Sequence, residues 1–220
     1  MTTYKAVADR ALLVEFGDAI SGVVHAQVVR LDRMLGLAPP RGMVEVTPGY
    51  VNLMISFDPV VTDHAAMQAA VEAVLLGPEP EAAVVCHHDV AVCYDGDLGT
   101  DLAEVAHRTG LTEAQVIAAH LAGEYRVYLY GFAPGYAYLA GVPGVLQLPR
   151  KAVAVRDIPA GRVIVAGPQC IVTTLKMPTG WWIIGSSPVR ILRQAPEPFL
   201  FGVGDTVRFY RIGRKEHDAL

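Results

Sequence analysis

The sequence has few cysteines and no apolar run long enough to cross a membrane. Its 220 residues contain only three cysteines, Cys86, Cys93 and Cys170, and their number and spacing are not those of a disulfide framework. No apolar run reaches the roughly 18 residues of a transmembrane helix. The first ten residues mix charges with alanines and lack the apolar core of a signal peptide. These features predict a cytoplasmic protein without a membrane partner.

An excess of basic charge is also missing. Lysine and arginine number 18 against 22 aspartates and glutamates, which gives a net charge of −4. Residues 107–112 imitate the turn of a DNA-binding helix-turn-helix, but the helix that follows offers Glu113, Gln115 and His120 and no lysine or arginine. Binding to phosphate backbones depends on such cations, so we expect no nucleic-acid partner.

Several common site motifs are absent. The sequence has no phosphate-binding P-loop, no Gly-x-Gly-x-x-Gly dinucleotide fingerprint and no Gly-x-Ser-x-Gly nucleophile elbow. Cys86, His87 and His88 precede Cys93 without a second ligand pair at zinc-site spacing. We therefore predict no metal site and expect buried cysteines on a core strand instead.

Hydrophobic residues make up 52% of the chain, enough for a sizeable core. Residues 1–80 show the order strand, helix, strand, strand, helix, with Ser21 and Asp63 (or Thr62) as helix N-caps. This order is most of a ferredoxin-like α+β sandwich. The proline-rich, acidic segment 77–81 is the predicted linker, so the predicted domains are residues 1–80 and 81–220.

The second region changes from helices to short strands. An extended stretch over 82–94 is followed by two short helices, whose starts show capping-box spacing at Asp101/Glu104 and Thr112/Gln115. Short β segments separated by proline and glycine then predict a closed or nearly closed barrel. The predicted strands are residues 125–130, 163–166, 171–175, 182–185, 189–192 and 206–210.

The most distinctive stretch is residues 128–139, where an aromatic strand breaks and turns. Pro134 fixes its own φ and Gly135 can take a positive φ, so the pair predicts a tight type II-like turn. Phe132, Tyr136 and Tyr138 surround it, although aromatics are only 8% of the chain. The turn is either a plain strand connection with core aromatics or a rigid loop that presents them to a ligand.

Cations and one histidine are the other candidates for a site. Arg150, Lys151 and Arg156 lie close in sequence, and an arginine fork suits a carboxylate or phosphate, although solvated surface charge is an equal alternative. His120, before the strand at 125, is either a general base or a structural residue at a helix end. Gln169, Lys176 and Trp181 are further groups able to line a pocket.

Several motifs together resemble one family. Residues 93–102 (CYDGDLGTDL) resemble "CYGGEFGPDL", and residues 131–139 (GFAPGYAYL) resemble "GFxPGFxYL". Pro149-Arg150, Arg156, 159–161, 166–167 and Gln169 follow at matching spacing. The chain is similar to the KipI family, whose members are called the B subunit of 5-oxoprolinase or allophanate hydrolase subunit 1. These are related to part of the urea carboxylase carboxyltransferase domain.

The resemblance implies a small N-terminal α+β domain and a C-terminal cyclophilin-like β-barrel. It implies a KipA-like partner (the C subunit of 5-oxoprolinase, or allophanate hydrolase subunit 2) and, as the third subunit of the complex, a LamB/YcsF-like A subunit. Such complexes open 5-oxoproline to glutamate with ATP and Mg²⁺, and we expect neither on the isolated chain. The expected catalytic groups are His120, Arg150 and Arg156. The expected binding groups are Phe132, Pro134, Gly135, Tyr136, Tyr138, Gln169, Lys176 and Trp181.

The chain departs from the family pattern on one side of the expected pocket. The usual "AGxQTGIYPxxxPGGW" becomes AGPQCIVTTLKMPTGW over 166–181, with Cys170, Ile171 and Thr179 among the replacements. The usual "IGRTP" becomes IGSSP over 184–188, where Ser186 replaces arginine. Ile171 places a branched side chain where glycine permits close backbone approach.

Three functions are compatible with the resemblance. The first is the B subunit of an ATP-dependent 5-oxoprolinase or a related amidohydrolase. The second is a KipI-like regulatory protein that inhibits a sensor histidine kinase. The third is a carboxyltransferase-like half-domain that acts on a urea- or amide-derived substrate, with biotin held elsewhere.

Overall fold

The computed structural model describes residues 2–78, 84–194 and 196–220 of the protein. The chain divides into two units, Met1–Val84 and Val85–Leu220. Residues 79–81 of the predicted linker, and the predicted domain boundary between residues 80 and 81, lie outside the described residues. None of the helices in the described ranges has the length and apolar character that a membrane crossing requires.

The first unit is an antiparallel four-stranded sheet with two helices. Its strand order is β1-β2-β4-β3, and every neighbouring pair is antiparallel. The elements are β1 (Thr3–Val7), β2 (Ala11–Glu15), α1 (Gly22–Leu37), β3 (Met43–Pro48), β4 (Asn52–Phe57) and α2 (His64–Leu76). Strand β1 is not predicted from sequence, because its side chains are mostly exposed and show no apolar alternation.

The two predicted N-caps of this unit are confirmed. Ser21 Oγ accepts a hydrogen bond from the Val24 N–H at 3.2 Å, and Asp63 Oδ1 accepts one from the Ala66 N–H at 2.8 Å. Both helices bury apolar residues at helical spacing against the sheet, including Val28 and Leu31 of α1 and Val71 of α2. The apolar residues that recur at helical spacing in α1 and α2 therefore form the helical side of this core.

The second unit is mainly β. A seven-stranded sheet has the order β12-β9-β10-β7-β6-β13-β5, and two further strands, β8 and β11, form a separate ribbon. The strands are β5 (His87–Val92), β6 (Tyr125–Tyr130), β7 (Ala137–Ala140), β8 (Val155–Ile158), β9 (Arg162–Ala166), β10 (Gln169–Val172), β11 (Met177–Thr179), β12 (Trp182–Ser186) and β13 (Thr206–Arg211). The helices are α3 (Leu102–Thr109), α4 (Glu113–Leu121) and α5 (Arg214–His217).

The two edges of the large sheet meet, so it forms a nearly closed barrel. Cys93, just after β5, and Ser186, at the end of β12, exchange two backbone hydrogen bonds of 2.8 Å. The barrel interior is filled by apolar side chains from the strands and from α3 and α4. The predicted barrel-like sheet is thereby confirmed, and the helix pair that imitates a DNA-binding motif packs its apolar face on this interior.

Individual strand predictions in this unit differ in outcome. The strand at 125–130 is confirmed as β6. The strand predicted at 189–192 is wrong, because those residues have irregular backbone and Leu192 forms only an isolated bridge with Phe199. Strands β8 and β11 are short and are not predicted from sequence.

Candidate functional site

The connection between β6 and β7 begins with a strained backbone at Phe132. The Ala133 N–H donates to the Gly131 carbonyl at 2.8 Å, and Phe132 between them has a φ of 69°. This is a γ-turn of the rare positive-φ type, which is unfavourable for a bulky residue. Phe132 is 69% exposed, and its ring packs edge-on against Tyr136, with 5.6 Å between ring centres. Such outliers persist where the surrounding structure holds them, often at ligand sites.

A second turn follows directly and confirms the predicted type II-like turn. The Tyr136 N–H donates to the Ala133 carbonyl at 3.1 Å, and Gly135 has a φ of 74°. The Thr174 hydroxyl donates to the Pro134 carbonyl at 2.6 Å. A Cβ at position 135 would lie 3.1 Å from the Thr174 methyl and 3.2 Å from the Leu192 Cβ. The hydrogen bond from Thr174 and the close packing of Thr174 and Leu192 around Gly135 therefore hold the loop in one conformation.

This loop forms one wall of a pocket of about 150 Å³. The opposite wall is the β11–β12 turn, and the floor is the outer face of the barrel. The lining residues are Phe132, Tyr136, Tyr138, Arg150, Ile164, Ile171, Pro178, Thr179, Gly180 and Trp181. Five residues predicted from sequence for the site, Phe132, Tyr136, Tyr138, Arg150 and Trp181, thus meet in one pocket. Their roles in binding remain predictions.

Arg150 supplies the positive charge of the pocket lining. Its guanidinium carbon lies 5.5 Å from the centre of the Trp181 ring, within the range of a cation–π contact. Tyr138 packs edge-on against the same indole at 5.9 Å. Burial raises the pKa of Tyr138, and the charge of Arg150 opposes that rise. The pocket therefore combines one exposed guanidinium with several aromatic side chains.

The backbone on either side of Arg150 is fixed by the neighbouring strands. The Trp182 indole N–H donates to the Pro149 carbonyl at 2.8 Å, and the Lys151 N–H donates to the Gly180 carbonyl at 2.7 Å. The Lys151 ammonium lies 2.6 Å from the Asp101 carboxylate, which also accepts the Ile183 N–H at 2.7 Å. Lys151 is therefore a structural cation, and the segment that carries Arg150 is held by three separate bonds.

That use of Asp101 corrects one prediction. Asp101 makes no capping hydrogen bond with α3, because its carboxylate is taken by Lys151 and Ile183. The second capping box is confirmed, since Thr112 Oγ1 accepts the Gln115 N–H and the Gln115 side chain accepts the Thr112 N–H.

His120 lies in the barrel interior and not at the pocket. Its side chain is fully buried, its Nδ1 is 2.7 Å from the Tyr94 hydroxyl, and its Nε2 is 3.8 Å from Cys170 Sγ. The ring stacks on Phe209 at 4.7 Å. Burial lowers the pKa of His120 from 6.5 to about 3. This placement does not support the predicted general-base role, since a buried neutral imidazole has no contact with a pocket ligand.

The other predicted residues do not line the pocket. Pro134 and Gly135 belong to the loop but form its scaffold, and Arg156 is exposed on β8. Lys176 is exposed and pairs with Asp157 at 3.0 Å, and Gln169 begins β10. Arg156 and Arg150 are thus not brought together as a pair in the lining.

The floor and the far wall are Ile164, Ile171, Pro178, Thr179 and Gly180, none of which is among the expected site residues, although the departures at Ile171 and Thr179 are expected on one side of the pocket. Two of them, Ile171 and Thr179, are positions where the chain departs from the family pattern, and that departure was a usable signal. The floor itself follows from strand alternation. Val163, Val165 and Cys170 face the barrel interior, so Ile164 and Ile171 face outward.

A second cavity, of about 470 Å³, lies at another end of the barrel. Glu124, Arg126 and Arg208 contribute charges of both signs to its lining, which also includes His87. Arg208 is already paired with Asp89 through two hydrogen bonds, at 2.8 and 3.2 Å. The lining of this cavity includes one tyrosine, Tyr125, whereas the pocket beside Phe132 is lined by four aromatic residues.

A family match and a sequence relative assign the chain to the same group of proteins. The family described as "Carboxyltransferase domain, subdomain C and D" matches residues 2–201. The B subunit of 5-oxoprolinase from Bacillus subtilis (strain 168) is 34% identical over 229 aligned residues, which cover 97% of this chain and 94% of that protein.

Solved structures share the fold. The crystal structure of TTHA0988 superposes with a TM-score of 0.79 at 34% identity, over 93% of this chain and 40% of that chain. The chain thus spans less than half the length of that relative. The Kluyveromyces lactis urea carboxylase superposes with a TM-score of 0.79 over 99% of this chain and 22% of that chain. At 17% identity, this last likeness shows the fold alone.

Proposed function

The chain belongs to the family of 5-oxoprolinase B subunits, within the carboxyltransferase domain family of subdomains C and D, and on that premise we propose that it is the B subunit of an ATP-dependent 5-oxoprolinase. In this proposal the complex opens the ring of 5-oxoproline to give glutamate. The observation that carries the proposal is the pocket of about 150 Å³ in which Arg150 lies over Trp181.

The size and chemistry of this pocket suit a small cyclic carboxylate. A protein cavity of about 150 Å³ can hold one benzene-sized ring, so the ring of 5-oxoproline fits inside with its carboxylate at the mouth. Arg150 would bind that carboxylate, because a guanidinium offers two parallel N–H donors to it. The faces of Phe132, Tyr136 and Trp181 would cover the ring.

Thr179 is suited to the lactam carbonyl. Its hydroxyl oxygen accepts the Trp181 N–H at 3.1 Å, which leaves its own proton available as a donor. Thr179 lines the pocket beside Gly180 and Trp181. In the proposal Thr179 thus orients the carbonyl, and Arg150 and Thr179 hold the two polar ends of the substrate.

This pocket does not fit ATP and Mg²⁺. A triphosphate is normally bound by several cations and backbone donors, and Mg²⁺ by carboxylates. The lining has one guanidinium and no carboxylate. Among the described residues, no group of three or more histidines, cysteines, aspartates or glutamates could hold a metal ion. We propose that the nucleotide is held outside this pocket, by another part of the complex.

The proposal includes partner subunits. Relatives are named as the B subunit of 5-oxoprolinase, and such a name implies at least one other subunit. We propose a KipA-like C subunit and a LamB/YcsF-like A subunit as these partners. The names of the relatives do not support the regulatory alternative, inhibition of a sensor histidine kinase. The carboxyltransferase alternative is supported by the name of the matching family, whereas the urea carboxylase likeness extends to fold alone.

The finer structural assignments are also proposals. We propose a ferredoxin-like fold for the first unit, in which β1 occupies an edge position of the sheet. We propose a cyclophilin-like lineage for the barrel, with domains at residues 1–80 and 81–220. A cytoplasmic location is proposed on the three free thiols Cys86, Cys93 and Cys170.

The test is reconstitution. The chain is mixed with its two proposed partner subunits, and ATP hydrolysis is measured with and without 5-oxoproline. We expect 5-oxoproline-dependent hydrolysis that requires this chain and is lost with Arg150→Ala. Arg190→Ala is the matched control, because Arg190 is exposed and does not line the pocket. Hydrolysis that proceeds equally without the chain would refute the proposal.

A further inference from the structure

The floor of the pocket is a pair of isoleucines directly opposite each other. Ile171 of β10 and Ile164 of β9 are cross-strand partners, and both are buried. They belong to a cluster on the outer face of the barrel that also contains Tyr136, Ile183 and Trp181. Their side chains stand between the ligand space and the barrel wall.

Ile171 lies where the sheet opens. The pairing of β10 with β7 stops at Cys170, which is opposite Leu139, whereas the pairing of β10 with β9 continues to Val172. On its β7 side, Ile171 therefore faces the space from which β7 has separated. Ile164 is different, because it is paired with Ile171 on one side and with Ile183 on the other.

We propose that Ile171 is a specificity-determining residue that sets the depth of the pocket and restricts it to a five-membered lactam carboxylate. This inference rests on the proposed function and adds the ring-size limit. With the carboxylate held at Arg150, a larger ring extends toward the floor and meets the branched Ile171 side chain. Close packing at such a floor leaves no room for an extra methylene without a shift.

The experiment measures ring-size preference by calorimetric titration of the full-length chain. The ligands are 5-oxoproline and its six-membered homologue, 6-oxopiperidine-2-carboxylate. We expect the wild type to prefer 5-oxoproline, and Ile171→Ala to shift the ratio of the two dissociation constants at least tenfold toward the larger ring. Ile171→Val should shift the ratio in the same direction by less, and it serves as the milder variant if the alanine variant fails to fold.

Ile183→Ala is the matched control. Ile183 is the same residue type, lies in the same buried cluster and is also paired with Ile164, but it does not line the pocket. It should lower the unfolding temperature as Ile171→Ala does and leave the ratio unchanged. An equal shift of the ratio in both variants would overturn the inference.

Two failures are distinguishable. If the wild type binds 5-oxoproline and neither Ile171 variant changes the ratio, the inference is overturned and the proposed function stands. If neither the wild type nor any variant binds 5-oxoproline, the proposed function is overturned and the inference with it.

Discussion

The guanidinium carbon of Arg150 lies 5.5 Å from the centre of the Trp181 indole ring, in a pocket lined mainly by aromatic and aliphatic residues together with Thr179. Trp181 is buried and comes from the β11–β12 turn, whereas Arg150 is exposed and comes from the segment before β8. A ligand carboxylate at this guanidinium would thus have its apolar part against the ring faces.

Arg150→Ala should weaken 5-oxoproline binding about 10- to 100-fold, because a hydrogen bond to a charged group contributes about 1.5–3 kcal/mol. Arg150→Lys should recover part of the loss, since it keeps the charge and loses the fork. Titration calorimetry gives the dissociation constants of the wild type and of the variants. Arg156→Ala should bind like the wild type, because Arg156 does not line the pocket. Normal binding by Arg150→Ala would remove this residue from the site.

Phe132→Gly should weaken ligand binding without lowering the stability of the protein. Glycine adopts the positive φ of this position freely, so relief of backbone strain should leave the free energy of unfolding unchanged or raise it by up to about 1 kcal/mol. Loss of the ring should weaken ligand binding. Phe132→Ala is the control, since it loses the ring and keeps the strain. Urea unfolding and calorimetry measure the two properties. A glycine variant that is clearly less stable than the alanine variant would contradict the strain argument.

Asp101→Ala should destabilise the protein by about 3 kcal/mol, because it leaves the Lys151 ammonium and the Ile183 N–H without their partner in a largely buried place. It should also weaken ligand binding, since Lys151 adjoins Arg150. Glu104→Ala removes an exposed ion pair with Arg108 and should change stability by less than about 1 kcal/mol. Equal effects of the two substitutions in urea unfolding would show that Asp101 has no special structural role.

Stability should fall as pH falls from about 6.5 toward 3, in part through His120. Burial lowers the pKa of His120 to about 3. Between that value and the ordinary value near 6.5 the unfolded chain binds a proton that the folded chain does not, so the free energy of unfolding decreases as pH decreases, by at most about 1.4 kcal/mol per pH unit from this group.

Urea unfolding of His120→Gln at several pH values checks this dependence. The variant should be less stable than the wild type at pH 7, because it loses the contact with Tyr94, and the difference should shrink at pH 5. His107→Gln, a change of an exposed histidine, should follow the wild type at both pH values. A constant difference for His120→Gln would contradict the assignment of a buried neutral imidazole.

Local features could be predicted from the sequence because their physical cause is local. The type II turn at Pro134-Gly135, the caps at Ser21 and Asp63, and strand β6 depend on residues within a few positions of one another. The barrel-like character also followed from the spacing of short apolar segments.

The features that could not be predicted from the sequence depend on distant partners. Asp101 has a capping residue's spacing, but Lys151 and Ile183 take its carboxylate, and neither is close in sequence. His120 has the residue type of a general base, but it lies buried inside the barrel. Arg150 and Arg156 are six residues apart, yet only Arg150 lines the pocket, because the chain turns into β8 between them. The sequence departure at Ile171 indicated one side of the pocket, but its position in the floor depends on which face of β10 points outward.

The most direct test of the account is a crystal structure of the chain with 5-oxoproline. We predict the ligand in the pocket beside Phe132, with its carboxylate on the Arg150 guanidinium, its ring against Trp181 and its carbonyl at the Thr179 hydroxyl. A ligand bound elsewhere, such as in the cavity lined by His87 and Arg126, with the Phe132 pocket empty, would contradict the account.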